Sequence, residues 1–87
     1  MHYVVAYDIR SDRRRRKVFE TLKNYGLPVQ LSVVECDLDA TRLERMKHQV
    51  LALINPRSDR VRIYRLCENC FFSAEGFGDG KSPAENL

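Results

Sequence analysis

Apolar positions open the chain as an almost unbroken block. His2-Tyr3-Val4-Val5-Ala6-Tyr7-Asp8-Ile9 is rich in valine and tyrosine, which favour a pleated, packed environment. The block is too short for a free-standing helix and ends in the polar turn Arg10-Ser11-Asp12, so it reads as a β-strand. His2, Val4, Ala6 and Asp8 share one face; Tyr3, Val5, Tyr7 and Ile9 share the other. Both faces are mainly apolar, which predicts a central strand covered on two sides. The period then changes. Val18, Phe19, Leu22 and Tyr25 fall on one side of a helix over about residues 13–25, with Ser11 or Asp12 as its cap. Gly26 is the expected C′ residue and Pro28 a further stop. Residues 29–38 read as β again, either one bent strand or two short strands turning around Gln30 to Ser32. Leu43, Met46, Val50, Leu53 and Ile54 give a second helix over about 40–54, capped by Asp39 and ended by Asn55-Pro56. Val61 to Leu66 alternates as a strand: Arg62 lies with Tyr64 and Leu66, and Arg65 with Val61 and Ile63. Cys70-Phe71-Phe72-Ser73 suggests a short extra strand, and the residues beyond it read as a loose tail.

Strand, helix, strand region, helix, strand is the order of a ferredoxin-like α+β sandwich, βαββαβ, provided residues 29–38 supply two strands. A chain of 87 residues is one domain, here taken as residues 1–72, with 73–87 as a C-terminal extension packing on a dimer partner. So short a chain buries only about 60–65% of its unfolded surface and cannot easily cover both faces of a sheet. A homodimer is therefore expected, with a second copy over the His2-Val4-Ala6-Asp8 face. Its two-fold axis would present two Asp8 side chains to one cleft.

Charge and cysteine content narrow the function classes. The formal charge of +3 is modest, so the distribution of charge says more than its total. No apolar run approaches the ~20 residues of a spanning helix, and no leader precedes the first strand, which predicts a cytoplasmic protein with no membrane role. Three cysteines, an odd number, argue against a disulfide framework. The CxxC at Cys67 and Cys70 has no second pair to complete a zinc site, so these read as ordinary thiols.

Two features remain for chemistry. Asp8 is a carboxylate at the end of a buried surface, where it must be hydrated, paired or bound to a cation. Arg13-Arg14-Arg15-Arg16-Lys17 puts five cations in the first turns of a helix, where the dipole favours anions. A phosphate nearby would turn that cost into a gain. Arg13, Arg16 and Lys17 point away from the apolar stripe; Arg14 and Arg15 flank it. Glu35 and Asp37 read as surface acids of a strand.

Taken jointly, Val5-Ala6-Tyr7-Asp8-Ile9, Arg15 to Val18, Tyr25-Gly26, Val29-Gln30, Ser32-Val33, Glu35 and Val61-Arg62-Ile63-Tyr64-Arg65-Leu66 resemble the CRISPR-associated protein 2 family. The resemblance covers about residues 1–66 in order and spacing. It implies a ferredoxin-like homodimer and a metal-dependent endonuclease acting on single-stranded RNA or duplex DNA. It also implies a partnership with the CRISPR integrase, in which the dimer bridges integrase subunits and holds duplex DNA. Asp8 then falls on the family's metal-binding Asp, Tyr7 on the Tyr before it, and Arg15 and Lys17 on its helix-one basic positions. Pro28 and Val34 depart from the Arg and Phe common there. The expected site is thus Asp8 as Mg²⁺ ligand and catalytic group, Tyr7 beside it, and Arg13 to Lys17, Arg62 and Arg65 along the nucleic acid. An architectural dimer that binds duplex DNA without cutting it is the alternative.

Overall fold

Residues 1–67 are described by the structure, a computed structural model. Six elements follow in order: β1 (His2–Asp8), α1 (Asp12–Leu22), β2 (Gly26–Gln30), β3 (Val33–Asp37), α2 (Ala40–Leu51) and β4 (Arg60–Leu66). The strands form one sheet in the order β2-β3-β1-β4, and every neighbouring pair is antiparallel. This is the ferredoxin-like α+β sandwich, with β1 central as its apolar block predicts. The extra strand expected at 70–73 and the extension 73–87 lie outside the described residues.

Residues 29–38 resolve into two strands joined at Leu31-Ser32. Ser32 takes φ 64°, a left-handed conformation uncommon outside glycine. Its carbonyl accepts a hydrogen bond from the Tyr7 N–H at 3.0 Å, so the turn is held by the central strand. Strand β2 begins earlier than expected, at Gly26 instead of Val29. Helix α1 stops at Leu22 and not near 25, because Asn24 and Tyr25 turn their N–H groups to Thr21 and Leu22 carbonyls. Gly26 is therefore a strand residue and not a helix C′ residue. A Cβ there would collide with the Glu35 carbonyl oxygen and lie 2.7 Å from the Cys36 sulfur. Gly26→Ala should destabilise the fold by about 1–3 kcal/mol, the usual range for overpacking, read as a lower urea midpoint. Pro28 sits in β2 and does not break it, because β2 is an edge strand and tolerates a missing N–H. Helix α2 likewise ends at Leu51, with Leu53 and Ile54 in a following turn that still packs on the core.

The core lies between the sheet and the two helices. Val5, Tyr7 and Ile9 from the first strand and its exit meet Val18 and Leu22 of α1, Val34 and Cys36 of β3, and Met46 and Val50 of α2. Each helix is capped as expected: Ser11 Oγ accepts from the Arg14 N–H at 3.2 Å, and the Asp39 carboxylate from the Arg42 N–H at 2.7 Å. Among the described residues no helix is long and apolar enough to cross a membrane.

Candidate functional site

Strand register decides which side chains meet on the face away from the helices. Residues paired directly across a sheet point to the same side. Asp8 is opposite Arg60, and Ala6 lies between Val33 and Arg62. Val4 lies between Glu35 and Tyr64, and His2 between Asp37 and Leu66. This face therefore carries a half-buried strip through Val4, Ala6 and Val33, with a carboxylate and two guanidiniums at one end. Neither α1 nor α2 covers it.

Asp8 is exposed at the last residue of β1, and its side chain makes no hydrogen bond or ion pair among the described residues. Arg60 and Arg62 are likewise exposed and make no ion pair there. Arg60 completes this end of the face, because β4 begins at Arg60, one residue before the strand that the alternation from Val61 predicts. The signal was available, since an antiparallel β4 starting one residue earlier faces the end of β1. Arg65 does not join the group. It pairs with Tyr3 in the register and so lies on the helix side.

The other carboxylates are elsewhere. Glu35 is level with Val4, four residues and so roughly 13 Å along the strand from Asp8. Burial pushes its carboxyl above the usual range. Asp37 accepts a 3.0 Å hydrogen bond from the N-terminal ammonium, which lowers its pKa. No cluster of three or more metal-ligating side chains exists among the described residues. At this end of the face the described residues thus offer a divalent cation one free carboxylate, Asp8. Mg²⁺ keeps several waters and accepts one or two carboxylates, so this donor suits half of a shared site.

Tyr7 is buried on the opposite side of the sheet from Asp8. Adjacent strand residues face opposite ways, so the two expected partners in catalysis are not brought together. Tyr7 instead lines a basin of about 550 Å³ with Arg15, Arg16, Phe19, Leu31 and Ser32. Burial raises its pKa, partly offset by the nearby Arg15 charge.

The basic run divides. Arg13, Arg16 and Lys17 are exposed, as their helical positions predict, and make no ion pair among the described residues. Arg15 bridges to Asp12 and donates to the Ile9 carbonyl at 3.1 Å. Arg14 is committed differently from the others: its Nε and Nη2 donate to the two carboxylate oxygens of Asp59 at 2.8 and 3.0 Å. The Asp59 side chain has no solvent exposure, and it also accepts from the N–H groups of Arg10 and Asn55 at 3.0 and 2.8 Å. Arg14, then the Asn55 and Arg10 amides, hold its carboxyl well below the usual carboxylate range against the opposing effect of burial. A carboxyl depressed in the folded state stabilises the fold above its unfolded pKa, and that contribution is lost as pH falls below about 4. The melting temperature of the wild type should therefore exceed that of Asp59→Asn at neutral pH, and the gap should narrow steadily on acidification to about pH 2.5. Nothing in the local sequence marks Asp59, since Arg10 and Arg14 lie 49 and 45 positions away.

By architecture this is a ferredoxin-like α+β protein with a carboxylate and arginines on the sheet face away from its two helices. The chain belongs to the CRISPR associated protein Cas2 family, whose family pattern matches residues 1–74. The CRISPR-associated endoribonuclease Cas2 1 of Chloroflexus aurantiacus is 42% identical over 84 residues, spanning 95% of this chain and 90% of that protein. The crystal structure of Streptococcus pyogenes Cas2 superposes with a TM-score of 0.81 at 30% identity, covering 90% of this chain and all of that one. A chain from a partial Cas6-RT-Cas1–Cas2 complex superposes with a TM-score of 0.69 at 28% identity, over 86% and 88% of the two chains.

Proposed function

We propose that this protein is a Mg²⁺-dependent endonuclease of CRISPR adaptation that works as a homodimer and partners the CRISPR integrase. The observation that carries the reading is Asp8: a free, exposed carboxylate beside Arg60 and Arg62 on a sheet face with an apolar strip that neither α1 nor α2 covers. A two-fold pairing through Val4, Ala6 and Val33 would give two Asp8 carboxylates to one Mg²⁺. Bound there, the ion would activate water and neutralise charge on a phosphodiester. Arg60 and Arg62 would bind and orient the backbone on either side of the cut. Arg13, Arg16 and Lys17, which make no ion pair among the described residues, would hold flanking phosphates without regard to sequence. Tyr7, facing the core, is a support under the strand end. A relative named as an endoribonuclease favours RNA as substrate, and a relative from a Cas1–Cas2 complex favours Cas1 as partner.

The second reading is an architectural dimer that holds duplex DNA without cutting it. It is favoured by the sparse donor set, since no cluster of three or more metal-ligating side chains exists among the described residues. Sedimentation and Mg²⁺-dependent cleavage separate the readings. The nuclease reading expects a dimer that cuts end-labelled RNA or DNA with Mg²⁺ and not with EDTA. A dimer that shifts duplex DNA on a gel and never cuts it establishes the architectural reading, and a monomer contradicts both.

A further inference from the structure

Asp59 stands just beyond Arg60, and Arg10 just beyond Asp8 with one residue between. Asp8 and Arg60 are the last backbone pair of the β1–β4 ladder. The hydrogen bond from the Arg10 N–H to Asp59 Oδ1, 3.0 Å, continues that ladder with a side chain where backbone pairing stops. The same carboxylate accepts the Asn55 N–H at 2.8 Å, which fixes the loop entering β4. Its remaining capacity goes to the Arg14 fork, which ties in the first turn of α1. Ser58 adds its hydroxyl to the cluster, within 3.3 Å of Asp59 and 3.4 Å of Arg14. One buried carboxylate therefore joins the three segments that carry the candidate site: the end of β1, the start of β4 and the basic helix.

We infer that Asp59 is a positioning residue for the Asp8–Arg60 site, and that Arg14, although it lies within a run of cations, serves this clamp and does not bind nucleic acid. The inference rests on the endonuclease reading for its first half only. A bidentate guanidinium held by a fully enclosed carboxylate is not released to a passing phosphate, because freeing it would leave Asp59 charged and buried without its main partner. Exposed Arg13, Arg16 and Lys17 carry no such obligation. The clamp also lets α1 keep like charges crowded at its start, since Asp59 neutralises one of them.

Two measurements test this on the full chain. The first is binding of labelled duplex DNA and single-stranded RNA across a KCl series for wild type, Arg14→Gln and Arg16→Gln. Losing a phosphate contact lowers the salt slope by about 0.9 on duplex and about 0.7 on single strands. Arg16→Gln should show that loss and Arg14→Gln should leave the slope unchanged. Equal losses would overturn the assignment of Arg14. The second is a Mg²⁺ titration of the Asp8 backbone amide in ¹⁵N-labelled wild type, Asp59→Asn and Arg14→Lys, each confirmed folded by circular dichroism, together with cleavage kinetics. Misplacing reacting groups by an ångström can cost about 100-fold, so Asp59→Asn should lower kcat by about 10–100-fold with KM nearly unchanged, and raise the Mg²⁺ needed for half-saturation. Arg14→Lys, with charge but no fork, should fall between. A folded Asp59→Asn that matches the wild type in both readouts would overturn the positioning role alone. A wild type whose Asp8 amide ignores Mg²⁺ and which cuts nothing would overturn the metal reading, and the positioning role with it.

Discussion

Asp8→Ala should abolish Mg²⁺-dependent cleavage while leaving the fold and nucleic-acid binding intact. A metal that stabilises phosphoryl charge contributes several kcal/mol to the barrier, and each 1.4 kcal/mol is tenfold, so the loss should be about 10³-fold or more. In a two-fold dimer one substitution removes both protein ligands at once. Stability should change by no more than about 0.5 kcal/mol, because Asp8 is exposed and its side chain makes no hydrogen bond or ion pair among the described residues. Asp8→Asn should behave similarly, since an amide keeps the size but not the charge that the metal requires. Matched melting curves and gel shifts for the two proteins, against unequal cleavage, are the expected result. A variant that melts far below the wild type would show instead that Asp8 is a structural residue.

Leu22→Ala should have the largest effect on stability. Leu22 is fully buried at the end of α1, packed with Val18, the sheet and α2. Truncating a buried leucine costs about 2–5 kcal/mol, partly from lost transfer energy and partly from the cavity left behind. A chain of this size has only about 4–13 kcal/mol in all, so the substitution removes a large share of it. For a small domain each kcal/mol moves the melting temperature by about 4–8 °C, so a fall of 10 °C or more is expected by circular dichroism. Leu51→Ala on α2 is the comparison. Leu51 is 64% exposed, and its loss should move the melting temperature little.

Where packing is decided by neighbours in the chain, the sequence could be read. The apolar block of β1, the stripes of Val18 and Leu22 and of Met46 and Val50, and the caps at Ser11 and Asp39 all follow from spacing. Element ends were less legible, because distant atoms set them. Gly26 looks like a helix terminator until β3 lies against it, and Pro28 looks like a stop until β2 is seen to be an edge. The candidate site divides in the same way. Asp8 stands out as a carboxylate in an apolar strand. Its side of the sheet follows from period two, and the same period places Tyr7 on the other side. Arg60 needed the register of β4 against β1, and Asp59 needed the whole fold, since its partners converge from three segments. Helical spacing puts Arg14 beside the apolar stripe and Arg16 away from it, but Arg14 and Arg15 share that flanking position and differ in what holds them. The buried Asp59 carboxylate is what singles out Arg14.

The most direct test is cleavage of end-labelled single-stranded RNA and duplex DNA by purified wild type and Asp8→Ala, each with Mg²⁺ and with EDTA. Cutting by the wild type with Mg²⁺ alone, and by neither protein otherwise, is the expected outcome and identifies the substrate. Equal cutting by both proteins would contradict the assignment of Asp8 as the group that holds the metal.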